Sequence, residues 1–351
     1  MDKMNLSVKL LLIFIIFNFT ILINNIASAS SPPDAYHIVG VPQHKQINAL
    51  LCGPGALEIL FDFWGADIDQ KAIADVARSS SKGTYTWDMT RTGQFSYISE
   101  ANGSYFSNDA PTAGFPQRQI GYASFNYSSD SFWWTELKAL VASNIPVVLL
   151  MNYTPDEDTG HYRVIVGYDE TKGVVYFMDP WDRDQGRLKN PDGTVTWTMA
   201  DFKNAWNYSK YGTMHPYWGA IMIPWSVNLN TNGNTKAGSI LSVTANITYP
   251  CPRPFDCATY TAYNSSTDIL LPQGMHLQKG LSSINIGDIK AGGSATVTWK
   301  VKLDTDRTGS WITVRAGGLV SGAVPDVIWP GVFYPAYYYT DQIGGEARII
   351  I

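Results

Sequence analysis

The sequence predicts an α+β domain followed by an all-β domain. The chain has 351 residues, which is enough for two domains of ordinary size. Helical apolar spacing comes first and paired strands follow, which is an α+β arrangement. From residue 239 onward the pattern changes to short alternating strands separated by Gly and Pro clusters. Such a series predicts a β-sandwich.

The first predicted domain covers residues 30–225. Its first helix is indicated by apolar residues at i, i+3, i+4 and i+7, namely Leu57, Leu60, Phe61 and Trp64. Pro54 suits the first turn of that helix, and Gly65 suits its end. Further helices are predicted over 69–78, 131–143 and 198–206, and strands over 147–151, 162–168, 174–178 and 218–223.

The second predicted domain begins after a polar segment. Residues 226–238 are rich in Asn, Thr, Gly and Lys, a composition typical of a linker. Residues 239–351 then form the predicted β-sandwich, with strands expected over 240–245, 295–301 and 311–315.

The N-terminal 29 residues have the composition of a secretory signal peptide. Lys3 and Lys9 precede an apolar stretch from Leu10 to Ile23, and the small residues 27–29 offer a cleavage site. The alternative is an uncleaved membrane anchor, although the stretch is short for a spanning helix. Either interpretation places the remainder outside the cytoplasm, secreted or on the extracellular side of the cell membrane.

Charge argues against nucleic acid as a partner. The formal net charge is −5, and the chain has no long basic run. Phosphate binding requires clustered Lys and Arg side chains.

The three cysteines divide into a close pair and a single thiol. Cys251 and Cys257 are six residues apart, so in an exported chain we expect a disulfide between them. Cys52 is then unpaired. A single exported thiol is either buried and inert or retained because it reacts.

The surroundings of Cys52 favour a reactive thiol. It stands at the start of the first predicted helix, where backbone N–H groups and the helix dipole stabilise a thiolate. Gly53 places no side chain beside the sulfur. Gln46 lies six residues upstream, a spacing that fits the glutamine whose side-chain amide binds the oxyanion in papain-like enzymes. Gln43 is an alternative with a less suitable spacing.

A base and its orienting carboxylate are predicted from one hairpin. Among the five histidines, only His161 opens a predicted strand. The next strand ends at Asp179, and a turn at 169–173 would bring both residues to the same end. A carboxylate there can orient the imidazole. Taken singly, His161 and Asp179 are also compatible with purely structural roles, but together with Cys52 they favour catalysis.

Three segments resemble the C-thirty-nine-like cysteine peptidases, relatives of the double-glycine peptidases that trim bacteriocin leaders. They are residues 41–57, containing Gln46 and Cys52-Gly-Pro-Gly, residues 160–169, containing Gly160-His161-Tyr162-Arg163, and residues 175–181, ending in Asp179-Pro180-Trp181. The resemblance implies a papain-like fold and a Cys52–His161–Asp179 triad with Gln46 as oxyanion partner. The Cys-Trp pair of papain itself is absent after Cys52.

The functional hypothesis is an exported cysteine peptidase that acts on a peptide or protein substrate through a thioester and needs no cofactor. Two alternatives stay open at this point. One is another thiol acyl transfer, as in an amidase or transpeptidase, since these share the thioester step. The other is a non-catalytic cell-surface binding protein on the same fold, with surface association through the C-terminal domain or the N-terminal anchor.

Overall fold

The computed structural model describes residues 31–94, 121–181, 189–210, 215–257, 259–306, 309–329 and 332–351. The predicted signal peptide or anchor lies outside these residues. Within the described ranges, no helix is both long and apolar enough to cross a membrane. Residues 34–351 belong to one compact unit.

Helices lie in the first two thirds of the chain, and strands occur throughout. The helices are α1 Cys52–Phe63, α2 Gln70–Val76, α3 Thr86–Gly93, α4 Trp134–Ala142 and α5 Met199–Trp206. The first strands are β1 Ala35–His37, β2 Ala123–Tyr127, β3 Val147–Thr154, β4 Glu157–Asp169, β5 Val174–Met178, β6 Val195–Thr198 and β7 Gly219–Ile223. The later strands are β8 Ser226–Asn232, β9 Ile240–Thr248, β10 Thr261–Leu270, β11 Met275–Leu277, β12 Ser283–Lys290, β13 Ser294–Leu303, β14 Trp311–Val324, β15 Val327–Trp329, β16 Val332–Tyr334 and β17 Tyr337–Ile350.

The first seven strands form one antiparallel sheet beneath helix α1. Its order is β2-β7-β3-β4-β5-β6, and β1 pairs with the last residues of β4. Residues 147–151 of β3 are buried and apolar, which explains why they form an inner strand. The mixed helix and strand arrangement predicted for this part of the chain is confirmed.

Helix α1 has the predicted apolar face and the predicted end. Leu57, Leu60 and Phe61 are all fully buried. The helix ends at Phe63, and Gly65 then adopts a φ of 88°, a left-handed conformation that glycine takes without steric cost. The helix packs on α2 and β4, so its first residue is held above the central sheet.

Helix α3 was not predicted from the sequence. Its eight residues, 86–93, carry no apolar stripe, and its buried side chains include Asp88, Thr90 and Arg91. The helix therefore buries polar side chains, whereas sequence patterns predict a helix from a buried apolar face, so this helix could not be predicted in that way.

The C-terminal region consists of strands, as predicted. Two four-stranded antiparallel sheets have the orders β12-β10-β14-β17 and β11-β13-β9-β8. In β13, alternate residues are buried, namely Val297, Trp299, Val301 and Leu303. This period of two is the pattern expected of strands with one face toward a core.

Part of the predicted linker is a strand. Residues 226–232 form β8, which pairs with β9 from Ser226↔Thr248 to Asn232↔Ser242. Val227 is buried in this strand, whereas most of its other side chains are polar and exposed. The composition therefore suggested a linker, while the backbone pairing with β9 makes the segment part of a sheet.

An aromatic cluster joins the first sheet to the C-terminal region. Phe125 of β2 lies with its ring centroid 5.3 Å from that of Tyr260 and 6.4 Å from that of Phe255. The ring of Trp225 stacks on that of Tyr249 with centroids 5.0 Å apart, and the backbone N–H of Trp225 donates to the carbonyl of Gly344. The two regions therefore share a buried apolar contact rather than meeting only through a flexible connection.

Candidate active site

Cys52 is the first residue of α1 and is buried beside His161 and Tyr162 of β4. Its thiol is hydrogen-bonded to His161 and also meets the backbone N–H of Tyr162. Burial by itself raises the pKa of the Cys52 thiol. The hydrogen bond and the charge of His161, with the Tyr162 N–H, outweigh burial, so the pKa lies below its ordinary value.

The β4–β5 hairpin brings His161 and Asp179 together. Strand pairing runs from Asp169↔Val174 to Val164↔Met178, so Asp179 emerges at the end of the hairpin where His161 lies. His161 Nε2 is 2.7 Å from Asp179 Oδ1, and both side chains are buried. This contact leaves Nδ1 of the imidazole to face the thiol.

The pKa of His161 is raised by its partners. Burial alone would lower it, and Arg163 also acts in that direction, but the charge and hydrogen bond of Asp179 prevail. A raised imidazole pKa beside a thiol with a lowered pKa favours a thiolate–imidazolium pair. That pair is the reactive form of a cysteine nucleophile.

Arg163 is a member of this cluster that the sequence analysis did not identify. Its Nε donates to Asp179 Oδ2 at 2.6 Å, and its two terminal nitrogens donate to the carbonyls of Asn152 and Tyr153 at 3.0 and 2.7 Å. Its guanidinium lies 4.7 Å from the ring centroid of Trp197. The sequence did contain a clue, because side chains two apart on a strand share a face, as Arg163 and His161 do.

Asp179 is held ionised despite its burial. Burial raises the pKa of Asp179, but the charges of Arg163 and His161, and the hydrogen bonds from His161 and the Trp181 N–H, bring it well below its usual range. The Trp181 N–H donates to Oδ1 at 2.8 Å. The carboxylate is therefore fixed from both oxygens and carries its negative charge beside the imidazole.

Gln46 lies beside the first turn of α1. Its backbone N–H donates to the Pro180 carbonyl at 2.7 Å, which ties it to the residue after Asp179. A Cβ added to Gly55 would lie 3.3 Å from Gln46 Cβ. The side-chain Nε2 donates to the Asn48 carbonyl at 2.7 Å, so one of its two N–H groups remains for another acceptor.

Gln46 and its alternative, Gln43, lie in different surroundings. A Cβ added to Gly193 would lie 2.7 Å from Gln43 Oε1, so Gln43 packs on the turn that contains Gly193. Of the two glutamines, Gln46 is the one that contacts α1 near Cys52.

A cleft of about 180 Å³ opens beside Cys52. Its walls also include Lys82, Gly83, Thr84, Leu150, Asp158, Thr159, Gly160, Tyr162 and Tyr208. Two glycines near the thiol have no room for a side chain: a Cβ at Gly160 would lie 2.9 Å from the Tyr208 hydroxyl, and one at Gly53 would lie 2.9 Å from Met89 Sδ. The thiol therefore borders a cleft that a side chain at position 160 would narrow.

The other four histidines are engaged elsewhere. Their ring nitrogens face carboxylates, in the pairs His37–Asp192, His44–Asp62, His215–Asp130 and His276–Asp304. Among the residues that the structure describes, no group of three or more His, Cys, Asp or Glu side chains could hold a metal ion.

Cys251 and Cys257 are disulfide-bonded, and Cys52 is free. The bridged loop carries Phe255, which contacts Phe125 in the aromatic cluster. The bridge therefore closes a loop that packs against the first sheet.

Residues 38–214 match the Peptidase_C39 like family, a match that spans half of the chain. The match contains the thiol, the imidazole and the carboxylate described above. The chain belongs to this peptidase family. A search of curated proteins finds no match.

Two solved structures show limited similarity. One is a double glycine motif protease from an AMS/PCAT transporter in complex with the leader peptide: identity is 15%, the TM-score is 0.33, and the alignment covers 53% of this chain and 93% of that one. The other is the peptidase domain of Streptococcus ComA, a bi-functional ABC transporter involved in a quorum sensing pathway: identity is 13%, the TM-score is 0.34, and coverage is 53% and 99%.

Proposed function

We propose that the protein is an exported cysteine peptidase with Cys52 as nucleophile, His161 as acid and base, and Asp179 as the orienting carboxylate. The observation that carries the proposal is the continuous contact from the Cys52 thiol through His161 to Asp179, in which the Nε2–Oδ1 distance is 2.7 Å. A thiolate paired with an imidazolium can attack a carbonyl carbon at neutral pH.

The reaction proceeds through a thioester. The Cys52 sulfur bonds to the carbonyl carbon while the C=O π electrons move to the oxygen. His161 then gives its proton to the leaving amine as the C–N bond breaks. Water, deprotonated by His161, then attacks the thioester carbonyl. The C–S bond breaks, which releases the carboxylic acid product and restores the thiolate–imidazolium pair.

Gln46 and the backbone N–H of Cys52 are the proposed donors to the oxyanion. Gln46 has one side-chain N–H that is not engaged with Asn48, and it lies against the helix turn that begins at Cys52. Donors directed at the oxyanion, not at the ground-state carbonyl, lower the barrier because charge develops there.

Asp179 and Arg163 orient the His161 imidazole without contacting the substrate. Asp179 accepts from Nε2 and so keeps Nδ1 directed at the thiol. Arg163 holds the second oxygen of Asp179 and keeps the carboxylate ionised inside the protein. Arg163 is a positioning residue, since its contact with the reacting atoms passes through Asp179 and His161.

The proposal includes a papain-like arrangement for residues 30–225 and a β-sandwich for residues 239–351. It also includes a peptide or protein substrate, an N-terminal signal peptide or anchor at residues 1–29, and possible cell-surface association.

A thiol probe and a peptide-library digest test the proposal. Iodoacetamide should alkylate Cys52 at pH 6 much faster than an ordinary thiol, whose pKa is about 8.5. His161→Ala should slow that alkylation, and Cys52→Ala should abolish cleavage of the library. Mass mapping of products formed with added amines then separates hydrolysis from amidase or transpeptidase chemistry. Slow alkylation that does not depend on His161 would instead indicate a non-catalytic binding protein.

A further inference from the structure

The β14–β17 hairpin of the C-terminal region reaches the peptidase region with its tip. The two strands pair continuously from Trp311↔Ile350 to Val324↔Tyr337, and the described residues 325–329 and 332–336 lie beyond this pairing, at the tip. At this end of the hairpin, Arg78 donates to the Pro335 carbonyl at 2.7 Å and to the Pro325 carbonyl at 3.4 Å. Both sides of the tip are therefore bound by one guanidinium.

Arg78 is itself fixed by the peptidase region. Its Nε and Nη2 form a two-bond pair with Asp88 of α3, at 2.7 and 2.9 Å. Its guanidinium also lies 5.2 Å from the ring centroid of Tyr337. A paired arginine with five donors can join a carboxylate and two carbonyls in this way, whereas a lysine cannot reproduce the fork.

A second arginine strengthens the same contact. Arg91 of α3 lies 3.3 Å from Asp341 of β17, and both side chains are buried. Its guanidinium is 5.1 Å from the ring centroid of Tyr339. A buried charge pair across this contact is expensive to separate, because each charge would lose its partner.

Arg78 leads directly into one wall of the cleft. The chain turns at residues 79–84, where Ser80 and Gly83 exchange two backbone hydrogen bonds of 3.0 Å. The Ser79 and Thr84 hydroxyls are 2.6 Å apart, which closes the base of the turn. Lys82, Gly83 and Thr84 on this turn line the cleft beside Cys52.

The two ends of this turn are held from different sides. At the far end, the Thr84 carbonyl accepts from the Tyr162 hydroxyl at 2.9 Å, next to His161. At the near end, Arg78 has a φ of 47°, which is uncommon for a residue with a side chain and persists only where surrounding contacts fix it. The contacts that fix Arg78 are with Asp88 and with the hairpin tip.

We infer that the hairpin tip, through the carbonyls of Pro325 and Pro335, belongs to the substrate-binding machinery: acting on Arg78, a positioning residue, it holds turn 79–84 as a wall of the cleft. The catalytic part of this inference rests on the proposed function. The C-terminal region then contributes to substrate binding by the peptidase region and is not an independent domain.

The decisive variant replaces residues 325–336 by Asn-Gly in the full chain. Because Val324 and Tyr337 are directly opposite, a two-residue type I′ turn closes the hairpin without changing its register. Arg78→Lys is the second variant, which keeps the charge and loses the fork. Arg315→Ala is the matched control, since it removes the Arg315–Glu346 ion pair from the same two strands.

Two readouts apply to each variant. Hydrogen exchange of the amides in residues 79–84 should be about tenfold faster in the tip replacement and in Arg78→Lys, and unchanged in Arg315→Ala. Cys52 alkylation is measured with iodoacetamide and with a pool of N-acetyl tripeptidyl chloromethyl ketones. The iodoacetamide rate should stay within about twofold, while the ketone rate should fall about tenfold because only the peptide must occupy the cleft.

Unchanged exchange at residues 79–84 in the tip replacement would overturn the inference, as would an unchanged ratio of the two alkylation rates. Failure of the proposed function looks different. In that case Cys52 of the unaltered chain would not react quickly with iodoacetamide at pH 6, and amide exchange alone would still decide whether the tip holds the turn.

Discussion

The ion pair between Arg163 and Asp179 makes the sharpest prediction about stability. Arg163→Met removes the charge and keeps a side chain of similar length in the same buried space. Asp179 then loses the partner of its Oδ2, which now accepts from Arg163 Nε at 2.6 Å. Both side chains are almost fully buried, so solvent cannot replace the lost partner.

The magnitude follows from that burial. Removing one partner of a buried pair costs about 3–5 kcal/mol, because the remaining charge is left uncompensated. Because residues 34–351 form one compact unit, whose unfolding entropy is correspondingly large, that loss lowers the melting temperature by about 4–8 °C. Catalytic turnover should fall as well, since Asp179 no longer holds the imidazole in one orientation.

The loss of folding stability in Arg163→Met depends on pH. In the unaltered protein the pKa of Asp179 is depressed, so its contribution to stability is present above the unfolded pKa of about 3.9 and is lost as pH falls through the folded pKa. In Arg163→Met, burial is opposed only by His161 and the Trp181 N–H, so the pKa of Asp179 rises. The difference in stability between the two proteins is therefore largest near pH 7 and narrows below about pH 4.

Thermal unfolding from pH 3 to 8 measures this effect. Asp179→Asn introduced into the Arg163→Met background should recover part of the lost stability, because no buried charge then lacks a partner. Arg348→Met is the surface control and should change the melting temperature little, since its pair with Glu346 is about half exposed. An Arg163→Met protein that melts within about 2 °C of the unaltered one at pH 7 would refute the reasoning.

Three further predictions concern the cleft and the chain connection. Gln46→Ala should lower turnover by about 10²–10³, as for loss of one oxyanion donor, while Gln43→Ala should leave it unchanged; equal losses in steady-state kinetics would contradict the assignment. Gly160→Ala should reduce peptide cleavage but spare iodoacetamide alkylation, because its Cβ meets the Tyr208 hydroxyl and ring, and adding Tyr208→Ala, which removes both, should restore part of the cleavage. Limited proteolysis should leave residues 226–232 intact because they are paired with β9, and a first cut within them, read by mass spectrometry, would show the strand to be unstable.

Local sequence patterns predicted the elements that carry the proposed triad. The spacing of Leu57, Leu60 and Phe61 predicted α1, and the strand pattern before Asp179 predicted the β4–β5 hairpin. Each depends on residues that are close in the chain, so the register of a single hairpin was enough to place His161 beside Asp179. The disulfide between Cys251 and Cys257 was also predictable for this reason.

Contacts between distant segments were decided only by the tertiary structure. Helix α3 has no apolar stripe because its polar side chains find partners far away in sequence, as Arg91 does with Asp341. Strand β8 is polar in composition and owes its form to pairing with β9. The hairpin tip that binds Arg78 lies about 250 residues further along the chain. Periodicity reports which face of one element is buried, whereas these partnerships depend on which elements the complete fold brings together.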